Sequence, residues 1–251
     1  EKMKKTLVFA ILLIMATSMF SYIHIFSYQD FADFEPGDVL DMTILPSNDD
    51  GTHGSNDRWG DNLEHTWPDV PGDTNIYLDC TKPMMIEEMD GENVLHMDVK
   101  KGEKQIIGLK EVPNPGDLVL KMYFDFYLDT KTTPNQKVVF FSTDDPNVIG
   151  RMAVIYEDGY IKGLLRTGRY SVKEVFKEKI KYMENQWNQF DLEIWYYREI
   201  RIKVNSKLIY KWEFNKRLIG LPHYYVGNWV DTNTTSTVDM YFKNFVVSHY
   251  K

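Results

Sequence analysis

Cysteine is almost absent from this sequence. Cys80 is the only one, so no disulfide can form within the chain and the fold must rely on its hydrophobic core. We expect Cys80 to be a small buried hydrophobe, with a reactive thiol as the alternative. The sequence also lacks the G-x-S-x-G, Walker A, G-x-G-x-x-G and C-x-x-C motifs. The enzyme classes that depend on those motifs therefore find no support.

Positive charge is in the minority. Lysine and arginine number 29 against 37 aspartates and glutamates, which gives a formal net charge of −8. This balance argues against nucleic acid and against anionic membrane surfaces as partners. It would also repel polyanionic glycans, unless a local basic patch outweighs the average.

Charged residues are missing from residues 6–29, shortly after the basic pair Lys4 and Lys5. A basic start followed by an apolar run is typical of a secretory signal, and this run is also long enough for a spanning helix. We therefore predict an N-terminal hydrophobic helix within residues 1–29, either a cleaved signal peptide or an uncleaved membrane anchor. The rest of the chain is expected to be extracellular, secreted or tethered.

Residues 30–251 contain no Pro-, Ser- or Gly-rich linker and no internal repeat, which predicts a single domain. From about residue 76 onward, apolar and polar residues alternate between turn residues, as they do in strands. Residues 170–183 fit either a helix or a strand, and the strands around them favour a strand. The predicted strands include residues 94–99, 118–128, 137–142, 151–156, 160–165, 224–229 and 238–248.

The clearest alternation lies in residues 187–214. Three strands follow one another there, separated by tight turns at Arg198-Glu199 and Asn205-Ser206, and they share one apolar face. Such a meander needs a second sheet packed against it. The sequence therefore predicts an all-β protein, a two-sheet antiparallel sandwich.

This meander resembles the concanavalin A-like lectin and glucanase superfamily, whose members are laminin-G-like jelly-roll β-sandwiches. In that family a Trp opens a strand, a hairpin follows, and a short Asn-containing turn ends in an apolar residue, as in residues 187–194 and 200–208. Residues 225–227 and 241–248 agree, and residues 34–38 match an F-E-x-G-D opening. The resemblance implies a jelly roll after residue 29. It leaves the function open, because the family includes lectins, glucanases, lyases and adhesive modules.

Two carboxylates and two aromatic residues share one face of the first strand of the meander. Asp191 and Glu193 are about 6.5–7 Å apart at the backbone, and Trp195 and Tyr197 follow in step. Paired carboxylates perform glycoside hydrolysis, and beside aromatic rings they can also bind sugar. Glucanases of the superfamily carry a third carboxylate where this chain has Trp195, which favours binding over catalysis. A solvated face with cross-strand ion pairs is the other interpretation.

Arg166 and Trp229 are two further candidates for sugar contacts. Arg166 belongs to residues 160–170, a stretch with basic and tyrosine residues that is similar to a strand of polysaccharide lyases. A basic strip there could bind an acidic glycan on an otherwise acidic protein. An ordinary amphipathic hairpin is the alternative.

The resemblance also implies a structural Ca²⁺, which jelly-roll sugar-binding modules hold between an early Glu and a late Asp. Glu35 matches the early position, with Asp38 nearby. The Asp of the late position is replaced in this chain, which leaves Asp239 or Asn244 as substitutes.

Residues 46–75 are polar and contain Trp59 and Trp67, but they match no known metal-binding spacing. A packed or flexible loop is expected there, with a ligand-binding loop as the alternative. Asn233-Thr234-Thr235 is a glycosylation sequon.

The sequence as a whole predicts an extracellular carbohydrate-binding module whose partner is a poly- or oligosaccharide, with membrane contact only through the N-terminal segment. A glycoside hydrolase or polysaccharide lyase of the same fold is one alternative. A non-catalytic surface or structural interaction module is the other.

Overall fold

The computed structural model describes residues 23–41, 44–45, 76–109, 119–143, 152–168, 171–195, 198–213, 224–228 and 236–250. Most of these residues form strands joined by turns, and one 3-10 turn lies at Lys181–Met183. No helix among them is long and apolar enough to cross a membrane. In chain order the strands are β1 (Ile23–Gln29), β2 (Val39–Leu40), β3 (Ile44–Leu45), β4 (Ile76–Cys80), β5 (Met84–Met89), β6 (Glu92–Val99), β7 (Gln105–Leu109), β8 (Val119–Leu128), β9 (Lys137–Thr143), β10 (Met152–Glu157), β11 (Tyr160–Gly168), β12 (Ser171–Lys179), β13 (Trp187–Trp195), β14 (Glu199–Val204), β15 (Lys207–Glu213), β16 (Tyr224–Asn228) and β17 (Val238–Tyr250).

These strands form two antiparallel sheets. Sheet A has the order β15-β14-β13-β8-β17-β6-β5-β2, and β1 also pairs with β17. Sheet B has the order β12-β11-β10-β9-β16-β7-β4-β3. The predicted two-sheet antiparallel sandwich is confirmed, and so is the choice of a strand, β12, within residues 170–183.

Aromatic side chains from both sheets meet in the core. Phe140 of β9, in sheet B, has its ring centroid 6.0 Å from that of Phe124 and 4.7 Å from that of Phe126, both on β8 of sheet A. Phe190 of β13 lies 5.2 Å from Phe140. All four rings are fully buried, so the apolar face predicted for the meander packs on sheet B at its first strand. The third strand, β15, departs from the prediction, because Leu208 is 51% exposed. Cys80 is buried as expected.

Strand β8 shows why sheet A has a second, polar face. Its burial alternates strictly after Leu120: Met122, Phe124, Phe126 and Leu128 point into the core. The side chains between them therefore point the other way, because successive residues of a strand face opposite sides. We call this side the outer face of sheet A.

Two predicted turns have the backbone that a tight hairpin requires. Asp158 and Gly159 join β10 to β11 with φ of 54° and 79°, and Asn205 and Ser206 join β14 to β15 with φ of 50° and 63°. Positive φ at both central residues matches the twist of the flanking strands, and Asn, Asp and Gly adopt it most readily.

The N-terminal boundary differs from the prediction. Residues 23–29, assigned from the sequence to the hydrophobic helix, form β1 and pair with β17 from Ile23↔Tyr250 to Gln29↔Phe245. The sandwich therefore includes residues placed before the predicted boundary at residue 30. Residues 1–22 lie outside the described residues, and a signal or anchor there stays a prediction.

Candidate functional site

Asp191 and Glu193 lie on β13, on the outer face of sheet A, and each is paired with a lysine. Oδ2 of Asp191 is 3.0 Å from Nζ of Lys121 on β8, and Glu193 is ion-paired with Lys203 on β14. Oε2 of Glu193 also accepts a 3.0 Å hydrogen bond from Nε1 of Trp195. The two residues are only 6% and 5% exposed. Cross-strand ion pairs are therefore present, but the carboxylates are buried and not solvated.

The two carboxylates differ in proton affinity. Burial raises the pKa of Asp191, and the hydrogen bond from Lys121 offsets only part of that rise. Burial also acts to raise the pKa of Glu193, but the hydrogen bonds from Lys203 and Trp195 outweigh it, so that this pKa is lowered. Among the described residues, Oδ1 of Asp191 finds no hydrogen-bond partner, which agrees with the poor solvation of its charged form.

Trp195 ends the same strand with one face of its indole ring covered. The guanidinium carbon of Arg201 lies 4.0 Å from the ring centroid, a cation–π contact. A sugar could stack on that face only if Arg201 moved away.

In the described part of the chain, the other predicted sugar contacts do not join Asp191, Glu193 and Trp195 on the outer face of sheet A. Arg166 lies on β11, whose backbone belongs to sheet B, whereas Trp195 lies on sheet A. Tyr197 and Trp229 lie outside the described residues, as do residues 46–75 and the sequon at Asn233.

The residues predicted to hold calcium are not brought together. Before β2, the backbone N–H of Glu35 donates to Oδ2 of Asp38, and the backbone N–H of Asp38 donates to the carbonyl oxygen of Glu35. Asp239, in contrast, lies on β17. Strands β5 and β6 separate β2 from β17, a distance of about 14 Å at the usual strand spacing. No group of three acidic, His or Cys side chains in the described residues could hold a metal ion. Glu35, Asp38 and Asp239 therefore do not share one site in the described part of the chain, and a structural Ca²⁺ stays a prediction.

A row of four rings crosses the outer face of sheet A. Trp187, Tyr127, Tyr241 and His96 are register partners on the adjacent strands β13, β8, β17 and β6. Successive ring centroids are 5.9, 5.9 and 4.3 Å apart. All four side chains are half-buried, so part of each ring faces solvent. We call these residues the aromatic row.

Sequence reasoning missed the aromatic row. It used Trp187 only as the residue that opens a strand and noted His96 only as part of an alternating pattern. Each ring lies at an outward position of its own strand. The alternation of apolar and polar residues along each strand could therefore have indicated that these side chains lie on the outer face. The alignment of the four depends on strand register, which local sequence does not display.

His96 ends the row between two carboxylates. Its Nδ1 lies 2.7 Å from Oε1 of Glu87, and its Nε2 lies 3.0 Å from Oδ1 of Asp239. Burial alone would lower the pKa of His96, but the hydrogen bonds to Asp239 and Glu87 raise it overall. Burial raises the pKa of the stacked Tyr241 to about 12, with help from the charges of Glu87 and Asp239. The phenol of Tyr241 therefore stays neutral and can donate a hydrogen bond at neutral pH.

An open pocket of about 310 Å³ lies beside the other end of the row. It combines acidic, amide and basic groups with backbone from the β5–β6 turn. The lining residues are Asp30, Ala32, Gly91, Glu92, Asn93, Lys243 and Asn244.

No protein-family model matches the sequence, and no curated protein matches it. Solved structures do match. The binding domain of botulinum neurotoxin DC in complex with SialylT is similar, with a TM-score of 0.50 and 11% identity over 70% of this chain and 43% of that chain. The receptor binding domain of botulinum neurotoxin D gives a TM-score of 0.48 and 10% identity over 68% of this chain and 44% of that chain. At these identities the likeness shows the fold alone, and the matched part spans less than half of those structures.

Proposed function

We propose that this protein is an extracellular carbohydrate-binding module, a jelly roll of the concanavalin A-like kind, that binds sugar on the outer face of sheet A. The observation that carries the proposal is the aromatic row, formed by Trp187, Tyr127, Tyr241 and His96 in register across four strands. The extracellular location rests on the basic and apolar character of the N-terminal residues.

The chemistry of the row suits a sugar. The C–H faces of a pyranose ring pack on aromatic rings, and its hydroxyls need hydrogen-bonding partners close by. The phenol of Tyr241 and the carboxylates of Glu87 and Asp239 beside His96 can supply such partners. The rings are fixed by strand pairing and by each other, so little conformational entropy is lost on binding.

The sequence-predicted residues on β13 extend this surface. Trp195 and Glu193 lie on the same face as Trp187, and their contacts with Arg201 and Lys203 hold them in place. A long oligosaccharide crossing the face from the row would meet Trp195. A botulinum neurotoxin binding domain in complex with SialylT has a similar fold, which is compatible with a sugar-binding role.

A polysaccharide-degrading enzyme is the second candidate, and one observation favours it. Burial raises the pKa of Asp191, whereas the hydrogen bond from Lys203 outweighs burial and lowers the pKa of Glu193. Two carboxyl groups with different pKa values are typical of acid–base pairs. Binding is preferred because both oxygens of Glu193 are already engaged, by Lys203 and Trp195. Oδ2 of Asp191 is likewise paired with Lys121. Release of reducing ends or unsaturated products from polysaccharides, abolished by Asp191→Asn, would favour the enzyme.

The test is a glycan array followed by titration calorimetry with any oligosaccharide that binds. Tyr127→Ala, Tyr241→Ala and Trp195→Ala are compared with Tyr182→Ala as a matched control, because Tyr182 is 61% exposed and lies in the 3-10 turn and not on a strand of sheet A. We expect the two variants in the row, Tyr127→Ala and Tyr241→Ala, to weaken binding by about tenfold or more. Trp195→Ala should weaken the binding of a long oligosaccharide, and the control should bind like the wild type. If the wild type binds no glycan, the proposal fails and a protein-interaction module takes its place.

A further inference from the structure

The pocket beside the aromatic row lies where β17 changes neighbours. On one side β17 pairs with β6 as far as Phe242 and with β1 from Phe245 onward. Between these two points its register against β8 shifts, from Lys243 to Val246, and Asn244 has a left-handed φ of 53°. A bulge of this kind turns side chains out of the regular ladder. The ends of β1 and β6 leave a notch there, and the notch is the pocket.

Five side chains give the notch its chemistry. Asp30 and Glu92 supply carboxylates, Asn93 and Asn244 supply amides, and Lys243 supplies an ammonium group. Donors and acceptors therefore both line a space of about 310 Å³, at the lower end of the range of ligand pockets. Hydroxyl groups, which both donate and accept, suit such a lining.

Contacts with the surrounding residues hold the two amides in place. Nδ2 of Asn244 donates a 2.7 Å hydrogen bond to Oδ2 of Asp125 on β8, and Nδ2 of Asn93 donates a 2.5 Å hydrogen bond to the carbonyl oxygen of Phe34. A site whose polar groups are already oriented loses less entropy on binding.

The pocket is continuous with the aromatic row through Trp187. Nζ of Lys243 lies 4.3 Å from the centroid of the Trp187 ring, and Nε1 of Trp187 donates a 3.0 Å hydrogen bond to Oδ2 of Asp90. Asp90 directly precedes Gly91, which lines the pocket. A chain of sugar residues on the row can therefore place its next residue in the notch.

The charge of the pocket selects among sugars. Its lining carries two carboxylates against one ammonium group, and Lys243 is ion-paired with Glu92. Asp90 and Asp125 lie beside it and add negative charge. A carboxylate-bearing sugar entering this space would be repelled, whereas an uncharged polyhydroxyl residue would not.

We infer that the notch between β1, β6 and the β17 bulge is a subsite for an uncharged sugar residue, so that the protein binds neutral glycans in preference to sialylated or uronic ones. This inference rests on the proposed carbohydrate-binding function. It adds the ligand class and a second contact region, distinct from the rings.

The first test removes the amide at the bulge. Asn244→Gly deletes the side chain at a position where glycine is favoured by the positive φ, so the backbone is not strained. Asp158→Gly is the matched control, because Asp158 has a similar φ of 54° in a turn of sheet B. The probe is whichever neutral oligosaccharide binds the wild type on the array. We expect Asn244→Gly to bind it at least about tenfold more weakly and Asp158→Gly to bind it unchanged.

The second test changes the charge of the pocket without changing its shape. The double variant Asp30→Asn and Glu92→Gln removes both carboxylates, and the Asn side chain can still accept the hydrogen bond from the Ala32 amide. Its control is Glu174→Gln with Glu178→Gln on β12, both exposed, which alters the net charge equally on the other sheet. The probes are matched pairs: lactose with 3′-sialyllactose, and methyl-esterified with de-esterified oligogalacturonate.

The wild type should prefer the uncharged member of each pair. The pocket double variant should shift the ratio of affinities towards the charged member by about tenfold, and the control should not. If row variants abolish glycan binding while the pocket variants bind like the wild type, or if the wild type prefers the charged member, the subsite is refuted and the proposed function stands. If no glycan binds the wild type, both are refuted.

Discussion

Asp191 and Glu193 stand two residues apart on β13, both buried and both paired with a lysine, yet their pKa values shift in opposite directions. The difference lies in their hydrogen bonds. Glu193 is bonded by both Lys203 and Trp195, whereas Oδ1 of Asp191 has no partner among the described residues. The ionised carboxylate therefore stabilises the fold at Glu193 and destabilises it at Asp191.

The first prediction compares Asp191→Asn with Glu193→Gln. The folded-state pKa of Glu193 is lowered, so its contribution is present above its unfolded pKa of about 4.3 and is lost as pH falls through the folded value. The folded-state pKa of Asp191 is raised, so the pH dependence is reversed. The stability that Asp191 contributes is present below an unfolded pKa of about 3.9 and is lost as pH rises through the folded pKa.

At neutral pH, Glu193→Gln should therefore cost about 1–3 kcal/mol of unfolding free energy, and Asp191→Asn should be within about 1 kcal/mol of the wild type or more stable. Urea denaturation at neutral pH and at about pH 3.5 measures both. The cost of Glu193→Gln should shrink at the acidic pH. Equal losses for the two variants at neutral pH would contradict the assignment of their pKa shifts.

The second prediction concerns His96 between Glu87 and Asp239. Its raised pKa means that the stability it supplies is complete below the unfolded pKa of about 6.5 and disappears as pH rises through the higher folded value. His96→Gln should therefore destabilise the protein by about 1–2 kcal/mol at about pH 5.5 and by clearly less at about pH 8.5. Guanidinium denaturation at the two pH values gives the difference.

Glu87→Gln is the companion variant, because it removes one of the two carboxylates and keeps the shape of the side chain. It should flatten the pH dependence only in part, since Asp239 still faces Nε2 at 3.0 Å. A cost of His96→Gln that is the same at both pH values would mean that the imidazole acts through packing on Tyr241 alone.

Structural features that depend on neighbouring residues could be predicted from the sequence, whereas features that depend on contacts between distant residues could not. The turns at Asp158-Gly159 and Asn205-Ser206 follow from local backbone preferences, and Trp187 does open β13. The aromatic row needs the relative register of four strands separated by long connections, and no local pattern encodes that register. A run without charged residues is compatible with an apolar helix and also with a strand, such as β1, that pairs inside a sheet. This ambiguity explains why the predicted boundary at residue 30 differs from the observed start of β1.

The third prediction tests the close approach of two strands at Gly227, part of the motif by which the sequence resembled the concanavalin A-like family. Gly227 has a φ of 151°, and a Cβ there would lie 2.2 Å from the carbonyl oxygen of Gln105 on β7. A backbone atom within a sheet cannot rotate away, so Gly227→Ala must push β16 from β7. We expect a loss of about 3 kcal/mol or more, measured by thermal and urea denaturation.

Gly102→Ala is its control. Gly102 has a φ of 97° and nothing within 4 Å of an added Cβ, so this variant reports backbone strain alone, about 1–2 kcal/mol. If the two variants lose the same stability, the contact between Gly227 and Gln105 is not what requires glycine.

The last prediction concerns the link between the free ends of the two sheets. Phe176 of β12, the end strand of sheet B, stacks on Tyr210 of β15, the end strand of sheet A, with ring centroids 4.2 Å apart. Phe176 can lie there because its strand partner is Gly163, where an added Cβ would come within 2.1 Å of the Phe176 ring. Gly163→Ala should displace the ring and cost about 1–3 kcal/mol.

A double-mutant cycle with Phe176→Leu separates the causes. Once the ring has been removed, Gly163→Ala should cost much less, because the collision no longer exists. Unfolding free energies of the wild type, the two single variants and the double variant give the coupling between the two positions. A coupling near zero would show that Gly163 is needed for its backbone and not for the ring that connects the sheets.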